Sequence, residues 1–152
     1  MSSSGENILV IQGPNLNMLG IREPQIYGHM TLAELNRLIE AEARKLQLLV
    51  EIQQSNHEGV IIDLIHGAYG QKAGIIINPG AFTHYSYAIA DALAAVNLPT
   101  IEVHLSDIKK REAFRRHSVI EQVSAAQICG LGSDSYVVAL KELAAILRRK
   151  ND

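Results

Sequence analysis

Short β-branched and apolar runs alternate along the chain with longer stretches whose apolar positions recur at helical spacing. NILVIQ (7–12) reads as a strand halted by Gly13-Pro14. Over 31–47, Leu32, Leu35, Leu38, Ile39, Ala43 and Leu46 fall on one helical stripe. Thr31 with Glu34 forms a capping-box pattern at its start. LVEIQQ (49–54) alternates as a strand. Residues 58–70 repeat apolar pairs at helical spacing, Val60 with Ile61 and Leu64 with Ile65, and Gly70 supplies the stop. AGIIIN (73–78) is a continuous apolar run ended by Asn-Pro-Gly, as in a parallel strand buried on both faces. A helix follows over 86–97, a strand over 99–104 and another over 125–130. The last helix, 134–150, is amphipathic, with cations in its final turn where the helix dipole favours them.

Five strands separated by helices predict an α/β fold, a doubly wound parallel sheet of flavodoxin-like type. Right-handed crossovers restrict the topology, and 2-1-3-4-5 is the usual five-strand order. The expected organisation is a disordered N-terminal segment, 1–6, and one catalytic domain, 7–152. In such sheets ligands bind beyond the carboxyl ends of the strands, near the switch point between strands one and three. The unusual stretches follow strands one, three and four: GPNLNMLGIREPQIYG (13–28), NPGAFTHYS and HLSDIKKREAFRRHS. Those strands are neighbours in this order, so the three stretches converge. The first is about three times the usual length of a strand-to-helix connection.

Several chemistries are excluded by what these stretches lack. There is no GxxxxGK[ST], GxGxxG, GxSxG or HExxH, and no Cys/His cluster with metal-ligand spacing. GPNLNMLG carries no hydroxyl to cradle a phosphate, and Gln12 and Asn78 stand where a phospho-acceptor domain needs carboxylates for magnesium. The net charge is −2, so no basic excess points to nucleic acid. The lone Cys129 sits in an apolar run and reads as a small core residue. With no signal-peptide pattern and no membrane-length apolar run, the expected location is the cytoplasm.

What remains suits proton transfer on a polar, anionic, hydroxylated small molecule. Asn15, Asn17 and Asn78 donate and accept hydrogen bonds, and His84 and His104 also titrate near neutrality. Ser106 and its backbone amides can hold a carboxylate, with Arg22, Arg111, Arg115 and Arg116 supplying positive charge. Tyr27 can act as a base if nearby cations lower a phenol pKa of about 10. Blander roles stand beside these. Asparagines after strands commonly cap turns, although Asn15 and Asn78 fall at adjacent strand ends. A histidine ending a buried strand is often a satisfied structural group, against which stand the Leu-Ser and four arginines after His104. KKREAFRR reads as a solvated helix face, yet Arg111 and Arg115 lie one helical turn apart and could point inward together. Asp63 and Asp91 read as helix-surface or interface carboxylates. His29, His57, His66 and His117 read as structural or surface residues.

Taken together, ILVIQGPNLNMLGIREPQIYG, QSNHEGVIIDLIHGA, IIINPGAFTHYSYAIADAL, IEVHLSDIKKREAFRRHS and GLGSDSYVVAL resemble the type II 3-dehydroquinate dehydratase family. MSSSGE lies outside the resemblance. The family is a hydro-lyase of the shikimate and quinate pathways, which removes water from 3-dehydroquinate by anti elimination through an enolate. The resemblance implies Tyr27 as general base, Arg22 as its cationic neighbour on a mobile lid, and Asn15 positioning a water at the enolate oxygen. It implies His104 as general acid oriented by Glu102, with Asn78, His84, Leu105, Ser106 and Arg115 binding substrate. Arg111 sits beside these, placed to tune Tyr27. Asp91 is the carboxylate expected to reach a neighbouring subunit's site in a homo-oligomer built on trimers, a dodecamer. No cofactor or metal is implied. Gln12 and Asp107 stand where Asn is commoner in the family, which touches substrate affinity rather than chemistry. The long loop reads as the lid, with Gly20 and Gly28 bracketing Arg22 and Tyr27, and Pro24 stiffening its middle. The rivals are a flavodoxin-like small-ligand-binding module without catalysis and an interaction protein that kept the fold and lost activity.

Overall fold

A computed structural model describes residues 5–21 and 23–151. Five strands, β1 (Glu6–Gln12), β2 (Leu48–Gln54), β3 (Gly74–Asn78), β4 (Thr100–His104) and β5 (Ala126–Cys129), pair in parallel in the order β2-β1-β3-β4-β5. This is the order the sequence pattern predicts. Glu6 already belongs to β1; of the N-terminal segment expected to be disordered, residues 1–4 lie outside the described residues.

Alternation along the buried strands divides the core into two layers. Ile8 and Val10 of β1 face α2 (Leu32–Lys45) and α5 (Asp134–Asn151), together with Ile76, Ile101 and Val103. Leu9 and Ile11 face the opposite way, toward α3 (Glu58–Ala68) and α4 (Tyr87–Val96), together with Ile75 and Ile77. Each fully buried Ile or Leu contributes about 1.5–3 kcal/mol of transfer free energy, which anchors the central strands whose ends carry the site. Helix α2 starts on the expected capping box, with Thr31 Oγ1 accepting from Glu34 N–H and the Glu34 carboxylate accepting from Thr31 N–H. Helix α4 ends at Asn97 in the left-handed region, φ 53°.

Two stretches are more structured than a loop. The segment after β1 contains a 3-10 turn, Leu16–Met18, and a one-turn helix α1 (Pro24–Tyr27) with proline in its first turn. The 108–116 stretch is not one helix: 3-10 turns Ile108–Lys110 and Ala113–Arg115 are separated by extended backbone at Arg111. Among the described residues no helix is long and apolar enough to cross a membrane.

Candidate active site

The carboxyl ends of β1 and β3 are held side by side. Gly13 N–H donates to the Asn78 carbonyl at 2.8 Å, and a Cβ on Gly13 would stand 2.6 Å from that oxygen. Only glycine permits this approach. The chain then turns at Asn15 through the left-handed region, φ 70°, and Asn15 N–H donates to Asn56 Oδ1 at 3.0 Å. Beyond these ends and that of β4 lies a cavity. Tyr27, Asn15, Asn78, His84 and His104 line it, as do Leu105, Ser106, Arg111 and Arg115. Of the other expected site residues, Glu102 stands behind His104, Asp91 is exposed on α4 away from the lining, and Arg22 lies outside the described residues.

The His104 side of the cavity is part of the core. Glu102, completely buried, accepts from His104 Nε2 at 2.5 Å. Since an ionised carboxylate only accepts, Nε2 carries the hydrogen. Thr83 Oγ1 and Gln127 Nε2 also donate to Glu102. So does Ser118 Oγ, because its own lone pairs already accept the N–H groups of Ile120 and Glu121. Burial alone would push the Glu102 carboxyl up. The hydrogen bond and charge of His104, with the Thr83 and Gln127 donors, outweigh it and hold the carboxyl below the ordinary carboxylate range. With Nε2 tied to Glu102, Nδ1 is the His104 nitrogen left for the cavity that this ring lines.

The Tyr27 side is assembled from surface segments. Tyr27 ends α1 and is half-buried. Arg111 Nη1 donates to its phenol oxygen at 2.7 Å, and the guanidinium carbon stands 5.5 Å from the ring centroid. The Glu23 carboxylate lies 4.0 Å from Arg111 Nη2. Thus Arg111, rather than only a residue of the same loop, supplies a cation to the phenol.

Between the two sides lie groups suited to polar ligands. His84 Nδ1 donates to the His117 carbonyl at 2.8 Å, which leaves Nε2 as an acceptor. Burial pushes the His84 pKa down, and the charges of His104 and Arg115 add to this against the His117 bond, so the ring is neutral near pH 7. Arg115 is oriented by Glu112 at 2.8 Å and stacks on Phe114. No lysine lines the cavity among the described residues. The Cys129 thiol, half-buried near Asp107, is pushed up by burial and that carboxylate and is a poor nucleophile.

Sequence reasoning missed four residues behind the lining: Thr83, Ser118 and Gln127 around Glu102, and Tyr136 behind Asn78. Gln127 had a signal, as a polar residue inside an otherwise apolar fifth strand. Tyr136 had none, since it sits in the apolar stripe of α5.

Comparison with known proteins agrees with this geometry. Residues 6–144 match the family model described as dehydroquinase class II. The 3-dehydroquinate dehydratase of Trichodesmium erythraeum is 53% identical over 146 residues, covering 96% of this chain and 97% of that protein. That of Nostoc sp. is 57% identical over 142 residues, covering 93% and 97%. The crystal structure of type II dehydroquinase from Butyrivibrio crossotus superposes with a TM-score of 0.90 at 51% identity, over 92% of this chain and 98% of that one. A 3-dehydroquinate dehydratase-like protein from Bifidobacterium longum gives a TM-score of 0.70 at 32% identity, over 94% and 98%.

Proposed function

The chain belongs to the class II dehydroquinase family, and from that premise we propose that it converts 3-dehydroquinate to 3-dehydroshikimate with Tyr27 as base and His104 as acid. The reaction is a hydro-lyase step of the shikimate and quinate pathways, carried by one catalytic domain over 7–152. Tyr27, as phenolate, takes the proton α to the ketone, and the C–H electron pair moves into an enolate. The guanidinium of Arg111 donates to the phenol oxygen, and Arg22 is its second cation. Asn15 at the rim positions a water against the enolate oxygen. Collapse of the enolate expels the hydroxyl from the opposite face, and His104 protonates it so that it leaves as water.

Leu105 and Ser106 grip the substrate carboxylate through backbone amides and the Ser106 hydroxyl. Arg115 adds positive charge, Asn78 and neutral His84 bond the hydroxyls, and the lid excludes water as it closes. Asp91, exposed on α4, contributes to the site of a neighbouring subunit in a trimer-based dodecamer in the cytoplasm. The observation that carries the reading is one cavity lined by two proton-transfer groups, each with an oppositely charged or cationic partner: His104 on Glu102 and Tyr27 under Arg111. Its test is direct. Purified protein mixed with 3-dehydroquinate should generate the ultraviolet absorbance of the conjugated enone, and borohydride added with substrate should leave the rate unchanged. Absence of product, or inactivation with a lysine adduct, overturns it.

A further inference from the structure

We infer that Tyr136, a residue of α5 outside the cavity lining, positions Asn78 for substrate by accepting from its amide nitrogen and so holding in place the orientation that the Gly80 N–H sets. Tyr136 is buried, and its phenol crosses from the helix layer to the carboxyl ends of β1 and β3. There it accepts from Asn78 Nδ2 at 3.0 Å and donates to Gln12 Oε1 at 2.5 Å. At its other side, Asn78 Oδ1 accepts from the backbone N–H of Gly80 at 3.1 Å. A backbone N–H can only donate, so Oδ1 faces Gly80 and Nδ2 faces Tyr136.

The Gly80 N–H also sets the direction of the phenol, because Asn78 Nδ2 then donates to its oxygen and the phenol hydrogen must go elsewhere. Gln12 Oε1 takes that hydrogen, and Gln12 Nε2 donates to Asn36 Oδ1 at 3.3 Å. The phenol hydrogen is therefore committed to Gln12, and a lone pair faces Asn78. Burial pushes the Tyr136 phenol up, so it stays protonated throughout the working range. The four polar groups form a one-way chain from α2 to the cavity. Reversing the Asn78 amide would set its oxygen against the phenol lone pair and its N–H against that of Gly80. Gln12, Asn78 and Tyr136 are each at least nine-tenths buried, so no water relieves that mismatch. The consequence is that Asn78 keeps its second Nδ2 hydrogen for the cavity, as a donor to a substrate hydroxyl or carbonyl oxygen.

The effect on substrate rests on the dehydroquinate reading; the orientation of Asn78 does not. Tyr136→Phe removes one oxygen and leaves the ring in place. It should raise KM for 3-dehydroquinate about tenfold, what one hydrogen bond commands, with kcat within about threefold of wild type. Asn78→Ala should raise KM at least as much, and the double variant should be no worse than Asn78→Ala alone. In protein labelled with 15N-asparagine and free of substrate, the Asn78 side-chain amide signals should shift in Tyr136→Phe. Gln12→Met, which keeps the shape and removes the acceptor, should also raise KM and shift those signals, and it decides the matter if Tyr136→Phe does not fold. Unmoved amide signals with wild-type KM, or fully multiplicative effects in the double variant, overturn the inference. A wild type inert toward 3-dehydroquinate defeats the functional reading alone, because the amide signals report Asn78 without substrate.

Discussion

The two groups proposed for proton transfer rest on supports of opposite kind. His104 ends a strand buried along its whole length, and its partner Glu102 takes four side-chain donors in the core. Tyr27 ends a single helical turn on the surface, and the guanidinium on its oxygen comes from a residue 84 positions away. A general acid must hold a proton at one place, so its orienting anion is fixed in the fold itself. A base that abstracts a proton from carbon must admit the substrate first and close on it afterwards. A site built from two surface segments can part and rejoin without disturbing the sheet.

The largest effect should fall on the surface side. Tyr27→Phe is expected to lower kcat about 10³–10⁴-fold while substrate binding, measured by calorimetry, persists. Substantial turnover in that variant would place the base elsewhere. On the core side, His104→Ala should cost about a hundredfold or more in kcat with the circular dichroism spectrum unchanged; a near-normal rate would mean that a water protonates the leaving hydroxyl. Arg111→Ala and Arg22→Ala should each lower turnover by about tenfold or more, because each removes a cation that serves the base. Adding either to Tyr27→Phe should cost little further, since both act through the base. If only one of the two lowers turnover, that cation alone serves the phenol.

The smallest effect concerns stability, and it should appear on the core side alone. The Glu102 carboxyl is held below its ordinary range in the fold, so the unfolded chain binds that proton more readily. The stability this gives is complete above the unfolded carboxylate value of about 4.3 and is lost as pH falls through the lower folded value. Thermal melts from pH 7 to pH 3 should show wild type losing stability at the acid end. Glu102→Gln should start about 3 kcal/mol lower at neutral pH and show less of that acid loss. Parallel curves for the two proteins would mean that Glu102 does not carry the acid limb.

The sequence showed these two sides unequally. The sheet was legible because its strands are buried runs with glycine and proline stops, and crossover handedness leaves few orders, of which the observed one is the usual five-strand solution. The cavity lining was legible where unusual polar residues follow strands, as with Asn78, His84 and the His104-Leu105-Ser106 run. The support behind Glu102 was not. Thr83 and Ser118 are small hydroxyls of kinds that turns use everywhere, and only the packing of two segments brings them to one carboxylate. Tyr136 was hidden because burial in an apolar stripe and service to a polar network look the same in one dimension. A helix would let Arg111 and Arg115 point inward together, yet Arg111 does so from the extended link between two 3-10 turns and Arg115 from the end of the second.

The join at the base of the loop that carries Tyr27 has a consequence for how the loop's length can vary. A Cβ placed on Gly20 would stand 3.2 Å from the His29 carbonyl oxygen and 3.2 Å from the Thr31 side chain, so the chain returns to where it left. The start of α2, locked by its capping box, is the fixed post to which both ends are tied. Closing such a loop costs entropy that grows only with the logarithm of its length, about 0.6 kcal/mol per doubling. Residues inserted between Gly20 and His29 therefore load the folded protein very little. On the proposed reading, what that segment must conserve is where it delivers a phenol, not how much chain it contains.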